Sequence, residues 1–288
     1  MTRTALVIGA GGPVGEAAAA ALVREGWRVT ASMRQRRPDV EARLAAMGVA
    51  VAFHDLPHDA RWAACAEGCD ALVFAIHLEI AAAAALAGAA LSCGRLVVFS
   101  SNNVAADAEA ASYRALAQAE TSVRARFPNA AIVRPTLIYG DPRLPTLTRL
   151  MRVAQTWPVM PLPGSGRALA QPVFHEDLGV LAAGLAAADA PGGVFAAGGP
   201  DIVTTRDLYA AVAAAVGAHP PIAPIPRFAL APAVALGLIS SEQAARADKD
   251  RTAIAQDPLP PHLAPRTHLR EGLARHFSAL RGAAPDGA

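Results

Sequence analysis

Lysine is almost absent from this chain of 288 residues: Lys249 is the only one. Charge of either sign is sparse, and 26 basic against 24 acidic side chains leave a net of +2. So small an excess excludes a nucleic-acid binder whose affinity rests on phosphate contacts. Cysteine is scarce too. Cys65, Cys69 and Cys93 are too few for a disulfide-stapled secreted domain and fit a reducing compartment. The C-x3-C spacing of the first two has no downstream Cys or His pair to complete a zinc site. The first residues lack the cleavage pattern of a signal peptide. The most apolar later stretch, residues 80–91, falls short of the ~20 helical residues a bilayer needs. The expectation is a soluble cytoplasmic protein with no metal, nucleic-acid or membrane partner. Hydrophobic residues at 53% exclude a disordered chain.

What is present alternates. Residues 4–10, 28–34, 49–55, 71–77, 95–101 and 131–139 read as strands with continuous apolar centres, the pattern of strands buried on both faces. Between them, 14–25, 39–47, 59–67, 80–91 and 109–127 are helical. Strand–helix alternation at this pitch predicts βαβ units, and right-handed crossovers then give an α/β fold: a doubly wound parallel sheet of Rossmann type. After Tyr139 the texture changes, with proline-rich loops at 157–166 and 220–226. A helix is expected over 175–188, a strand over 193–199, a helix opening at Thr204 as N-cap, and helices over 228–238, 241–251 and 269–280. The final residues, from 282, read as frayed. The predicted organisation is a core of residues 1–140 to which 171–199 returns. A smaller C-terminal substrate lobe comprises 141–170 and 200–288.

Gly9, Gly11, Gly12, Pro13, Val14 and Gly15 follow the first strand and open the first helix as G-x-x-G-x-x-G. In that context glycines allow a tight turn, and the helix N-terminus offers free N–H groups and partial positive charge to a diphosphate. Pro13 lacks an N–H, but its fixed φ suits the first turn. The second strand ends in Arg34-Gln35-Arg36-Arg37, without the acid that meets a ribose hydroxyl in NAD binders. Guanidinium forks suit a 2′-phosphate, so NADP is the expected cofactor ahead of NAD.

With these segments, Ser100-Ser101, Tyr113 and Arg134-Pro135-Thr136…Tyr139-Gly140, the chain resembles the short-chain dehydrogenase/reductase superfamily. Within it the chain is similar to extended and atypical members: NAD-dependent epimerase/dehydratases and NmrA-like NAD(P)-binding proteins. The resemblance covers residues 4 to 210 well. It implies that Asp55 and Leu56 touch the adenine, and that Ala75 and Pro135 line the cofactor. The stretch Gln171-Pro172-Val173-Phe174-His175-Glu176-Asp177-Leu178 is similar to the segment that links sheet domain and substrate lobe.

In relatives a Ser or Thr, a Tyr and a Lys four residues after the Tyr form the catalytic set. Ser101 and Tyr113 match the first two; the lysine position holds Ala117. Phenol without help titrates near about 10, which makes a poor base near pH 7 but a serviceable acid. The resemblance therefore implies an NAD(P)-dependent oxidoreductase acting as an NADPH-linked reductase of a carbonyl or nucleotide-sugar-like substrate. Asn103, Arg143 and His175 are its candidate substrate contacts. The alternatives are a non-catalytic NAD(P)-binding protein of the NmrA-like or complex-I-accessory kind, and a sugar epimerase. Relatives pair the helices at 80–91 and 109–127 across a dimer interface, so a homodimer is expected.

Overall fold

Continuous apolar runs become the inside of a parallel sheet, as both faces are covered by helices. The computed structural model describes residues 2–88, 93–231, 244 and 246–282. The strands are β1 (Thr4–Ile8), β2 (Arg28–Met33), β3 (Ala50–Phe53), β4 (Ala71–Phe74), β5 (Arg95–Phe99), β6 (Ala131–Pro135), β7 (Ile138–Tyr139), β8 (Met160–Pro163), β9 (Leu169–Ala170), β10 (Val173–Phe174), β11 (Gly193–Ala197), β12 (Val203–Thr204) and β13 (Ile222–Ile225). The helices are α1 (Pro13–Arg24), α2 (Pro38–Ala46), α3 (Trp62–Ala66), α4 (Leu78–Ala87), α5 (Asn103–Ala106), α6 (Ala111–Arg126), α7 (Pro145–Thr156), α8 (His175–Leu185), α9 (Thr205–Ala215) and α10 (Leu269–Gly282). Of the expected helix over 228–238, residues 232–238 lie outside the described residues, and a 3-10 turn covers Arg227–Leu230. Of that over 241–251, residues 246–248 form a turn instead of a helix and Arg251 makes a β-bridge to Ala170.

Seven strands form one sheet in the order β11-β6-β5-β4-β1-β2-β3. Every pairing in it is parallel. This is the doubly wound Rossmann-type arrangement. The order reverses between β1 and β4, and in sheets of this kind ligands bind at such a reversal, outside the strands' carboxyl ends. Helix α1 packs on α8, and α4 packs on α6. Gly179 makes the first of these possible. A Cβ on it would stand 2.5 Å from the Ala17 carbonyl carbon.

The chain divides into two units. The first comprises residues 1–136, 175–197 and 253–265; the second comprises 137–174, 198–252 and 266–288. The stretch 253–265, assigned to the lobe by sequence, belongs to the first unit. Its Asp257 accepts a hydrogen bond from the Val194 N–H at 2.7 Å, and Leu263 packs where Gly184 has no side chain. Residues 171–174, expected in the core, belong to the second unit.

Further corrections have local causes. The single strand expected over 131–139 breaks after Pro135. Thr136 turns to donate to the Ala197 oxygen, and β7 pairs with β10 instead. The two proline-rich loops contain a parallel strand pair, β8 with β13. Pro161 and Pro163 fall on alternate positions, so the N–H groups they lack point away from the partner, and the Met160 N–H reaches the Pro221 oxygen at 2.9 Å. Helix α7 was not expected. Its Leu147, Met151 and Ala154 are buried on one face at helical spacing.

In the second unit Tyr139 meets Phe174 edge-on at 5.5 Å, and Gly272 leaves room for the Tyr139 hydroxyl. Buried His276 accepts from the Gly140 N–H at 3.2 Å through Nδ1, so its Nε2 carries the proton and donates to Thr148 Oγ1 at 2.9 Å. Thr204 caps α9 as expected, accepting from the Asp207 N–H at 3.1 Å. Among the described residues no helix is long and apolar enough to cross a membrane, and no group of three or more His, Cys, Asp or Glu side chains is placed to hold a metal.

The α1–α8 contact gives a stability prediction. Gly179→Ala forces backbone apart and lowers unfolding free energy by about 1–3 kcal/mol. Gly282→Ala, with nothing within 4 Å, changes it by less than about 0.5 kcal/mol. Urea denaturation of the two variants checks the contrast.

Candidate functional site

The turn after β1 is built by glycines with two different jobs. Gly9 has φ +93°, and a Cβ there would stand 2.5 Å from the Ala75 oxygen. A Cβ on Gly15 would stand 2.3 Å from the Gly9 oxygen. These two are required by the fold. Gly12 is not: a Cβ there meets only the Gly9 oxygen, at an ordinary 3.5 Å. Gly11 likewise makes no contact closer than 3.5 Å, against Met33, with Arg37 Cδ at 3.7 Å. Internal packing thus leaves the cradle bare at two positions, which fits a ligand that approaches the backbone.

Gly12 caps α1 with no side-chain hydrogen bond, and Pro13 fills the first position. The Glu16 N–H returns to the Gly12 oxygen. The first-turn N–H groups of Val14 and Gly15 lie beyond the reach of any earlier helical carbonyl. Together with the helix dipole they suit a diphosphate.

Beyond the cradle, Arg34, Gln35, Arg36 and Arg37 follow β2, all exposed. Arg36 is drawn off: its guanidinium lies 5.0 Å over the Phe53 ring and 3.6 Å from Glu41. Arg37 runs beside Gly11 instead. Asp55 is exposed and Leu56 buried where the chain leaves β3. Just before them, buried His54 places Nδ1 2.9 Å from Ser32 Oγ and Nε2 3.8 Å from Cys65 Sγ. Burial holds the imidazole below its ordinary pKa, with Arg61 adding to the effect and Asp59 opposing it. The Ala75 N–H donates to the Ile8 oxygen, and the Pro135 oxygen accepts from the Asn102 N–H.

Ser101 and Tyr113 come together through a residue placed by sequence among the substrate contacts. The backbone N–H of Asn103 donates to Ser101 Oγ at 3.2 Å, and its Nδ2 donates to Tyr113 Oη at 3.0 Å. Tyr113 lies in the first turn of α6, buried against Leu116 and Val104. Ala117, one turn on, packs into the same apolar cluster and brings no charge. Lys249 is exposed in the second unit.

Beneath this pair lies a buried ionic clamp that sequence reading did not assemble. Arg134 Nε donates to Glu120 Oε1 at 2.9 Å and Nη2 donates to Oε2; Ser100 Oγ donates to the same carboxylate at 2.6 Å. It ties the end of β5, β6 and α6 together, and both charges have the paired, hydrogen-bonded form that burial demands.

The other candidates have other engagements. Arg143 grips Asp141, with Nε at 2.9 Å and Nη2 at 2.7 Å. Its expected role toward an anionic substrate therefore competes with a carboxylate already in place. His175 is buried at the first position of α8. Arg251, which no sequence motif marks, lies in the second unit. Its Nη2 donates to Thr205 Oγ1 at 3.1 Å, while Nε is buried without a hydrogen-bond partner. Desolvation holds the Arg251 pKa low, Tyr209 opposes that shift, and the like charge of Arg246 adds to it.

Residues 1–131 match the model of the NmrA-like family. No curated protein matches in sequence. Among solved structures the chain is similar to MoeE5 in complex with UDP-glucose and NAD, at 18% identity and TM-score 0.74, covering 98% of this chain and 99% of that one. It is similar to the dTDP-glucose 4,6-dehydratase of Bacillus anthracis in complex with NAD, at 11% identity and TM-score 0.73, covering 98% and 97%. A third is the UDP-glucuronic acid 4-epimerase of Bacillus cereus in complex with UDP-glucuronic acid and NAD, at 11% identity and TM-score 0.72, covering 98% and 100%. At these identities the likeness is one of fold.

His54 predicts a pH dependence. Its folded pKa lies below the unfolded value near about 6.5, so the unfolded chain binds the proton more readily. The stability this residue contributes is complete above about pH 6.5 and is lost as pH falls toward the folded value. In His54→Gln the decline in melting temperature between pH 7 and 5 is shallower; an unchanged slope discards the assignment.

Proposed function

We propose that this chain, NmrA-like over residues 1–131 and folded like the NAD-dependent epimerases and dehydratases of the short-chain dehydrogenase/reductase superfamily, is an NADP-preferring oxidoreductase that reduces a carbonyl or nucleotide-sugar-like compound. The observation that carries this reading is the pairing of the Ser101 and Tyr113 hydroxyls through Asn103, in the unit that holds the glycine cradle.

Gly9, Gly11, Gly12 and the amides of Val14 and Gly15 would hold the diphosphate of the dinucleotide; Leu56 and Asp55 would face its adenine. When bound, NADPH supplies hydride from C4 of its nicotinamide. Ser101 Oγ–H orients the carbonyl oxygen. As the carbonyl carbon gains the hydride, Tyr113 Oη gives its proton to the forming alkoxide, and the phenol recovers one from water. The products are the alcohol and NADP⁺. A neutral phenol does this without a neighbouring cation, whereas oxidation requires the phenolate and so suffers from Ala117 at the lysine position. Sugar epimerisation, favoured by the fold of the Bacillus cereus enzyme, carries that same burden in its oxidative half.

The solved relatives named above hold NAD. Here the guanidiniums of Arg34 and Arg37 support the 2′-phosphate of NADP, with the Glu41 carboxylate held by the Arg37 N–H at 3.0 Å as the opposing charge; Arg36, occupied by Phe53 and Glu41, is the weaker candidate.

Fluorescence titration tests the cofactor. NADPH binds more tightly than NADH, and Arg34→Ala and Arg37→Ala each cut the preference by about tenfold, as loss of a charge-assisted hydrogen bond does; equal affinities in the wild type reject NADP. With 4-nitrobenzaldehyde as the reporter carbonyl, Tyr113→Phe lowers kcat by about 10²–10⁴ without weakening NADPH binding. Identical turnover removes Tyr113 from the mechanism.

A further inference from the structure

We infer that Asn103 is a positioning residue that makes Ser101 and Tyr113 a single proton-donating unit. The inference rests on the reductase reading above. Asn103 opens α5, and its peptide is fixed on both sides. The Asp107 N–H donates to its carbonyl at 2.8 Å. The preceding Asn102 is buried, donating its N–H to the Pro135 oxygen at 3.0 Å and accepting from the Ile254 N–H through Oδ1 at 2.9 Å. The Asn103 side chain therefore leaves a rigid base. Its amide reaches Tyr113 Oη over a sequence separation of ten residues, bridging α5 and the first turn of α6.

The direction of the two bonds matters more than their number. Asn103 is the donor in both, so it takes a lone pair of each hydroxyl oxygen and neither proton. An oxygen that accepts one hydrogen bond becomes a stronger donor of the next. A carboxylate of the same shape would do the reverse. Aspartate at 103 offers only lone pairs, so the phenol would turn its proton toward the protein and away from a substrate. Asn103 thus acts through Tyr113, which its side-chain amide reaches, and through Ser101, which its backbone N–H reaches.

The experiment compares wild type, Asn103→Asp, Asn103→Ala and Asn103→Gln, each alone and the alanine variant also combined with Tyr113→Phe. NADPH oxidation is followed with 4-nitrobenzaldehyde, and NADPH affinity by fluorescence. The aspartate and alanine variants lose about tenfold or more in kcat, the rate equivalent of one lost hydrogen bond, while KM and NADPH affinity stay within about twofold. The glutamine variant, which keeps the donor, recovers most of the rate. In the Tyr113→Phe background Asn103→Ala has no further effect. Wild-type kcat in Asn103→Ala, or a full additional loss in that background, overturns the assignment. A readout free of turnover accompanies these. Cζ-labelled tyrosine gives three resonances, for Tyr113, Tyr139 and Tyr209, and Asn103→Ala moves the first alone. If wild type binds NADPH but does not reduce the aldehyde, the reductase reading fails, and an unmoved Tyr113 resonance overturns the Asn103 tie separately.

Discussion

The approach of the Gly9 backbone to Ala75, too close for any side chain, is the constraint around which the first unit is arranged. It brings the end of β1 against the chain leaving β4, at the point where the sheet order reverses. Gly15 then packs its own α-carbon against the Gly9 oxygen, so α1 begins directly on the turn. Two close approaches in sequence fix where the helix starts and which way its first amides point. The same device recurs one layer out, where Gly179 lets α8 lie on the backbone of α1 at Ala17. Small residues are spent at contacts between backbones, and the alanine-rich composition serves that packing as much as helix propensity.

What could be read in advance was whatever local pattern encodes. Continuous apolar runs predicted the strands of the parallel sheet, and the glycine spacing predicted the cradle. Ser101 and Tyr113 were singled out by their positions after β5 and at the start of α6. What escaped depends on partners distant in sequence. β8 and β13 were hidden because proline reads as a breaker, and only the alternate placement of Pro161 and Pro163 reconciles it with pairing. The return of 253–265 to the first unit rests on Asp257 meeting Val194, a bond no local window contains. Asn103 was visible as a polar residue after a strand, but its function depends on which groups its amide reaches. Arg143 and Arg251 look alike in sequence. Only the fold gives one of them Asp141 and buries the other's Nε without a partner.

The near-absence of lysine bears on chemistry as well as on charge. Arginine does not give up its proton in proteins, so it cannot serve as a base. Many of the arginines are also tied to fixed partners. Arg134 is clamped to Glu120, Arg143 to Asp141 and Arg61 to Asp59, and Arg95 reaches the carbonyls of Leu185 and Pro191. The Glu120–Arg134 pair lies under Ser100, but its two charges cancel at short range and leave little field at the hydroxyls above.

The groups bonded to the Tyr113 and Ser101 oxygens at Asn103 are therefore neutral dipoles. An amide N–H stabilises a phenolate less than a full positive charge would, because a neutral hydrogen bond contributes about 1 kcal/mol and a charged one about twice that. A site that must hold a phenolate at rest is poorly served by this arrangement. A site that passes through a phenolate only while the substrate's alkoxide becomes an alcohol is served well enough, since the phenol is the resting form and the amide is already aimed at the oxygen where charge develops. The proposed preference for reduction thus rests on a preorganised amide standing where a cation would otherwise be, and the argument applies to any carbonyl compound that reaches the two hydroxyls.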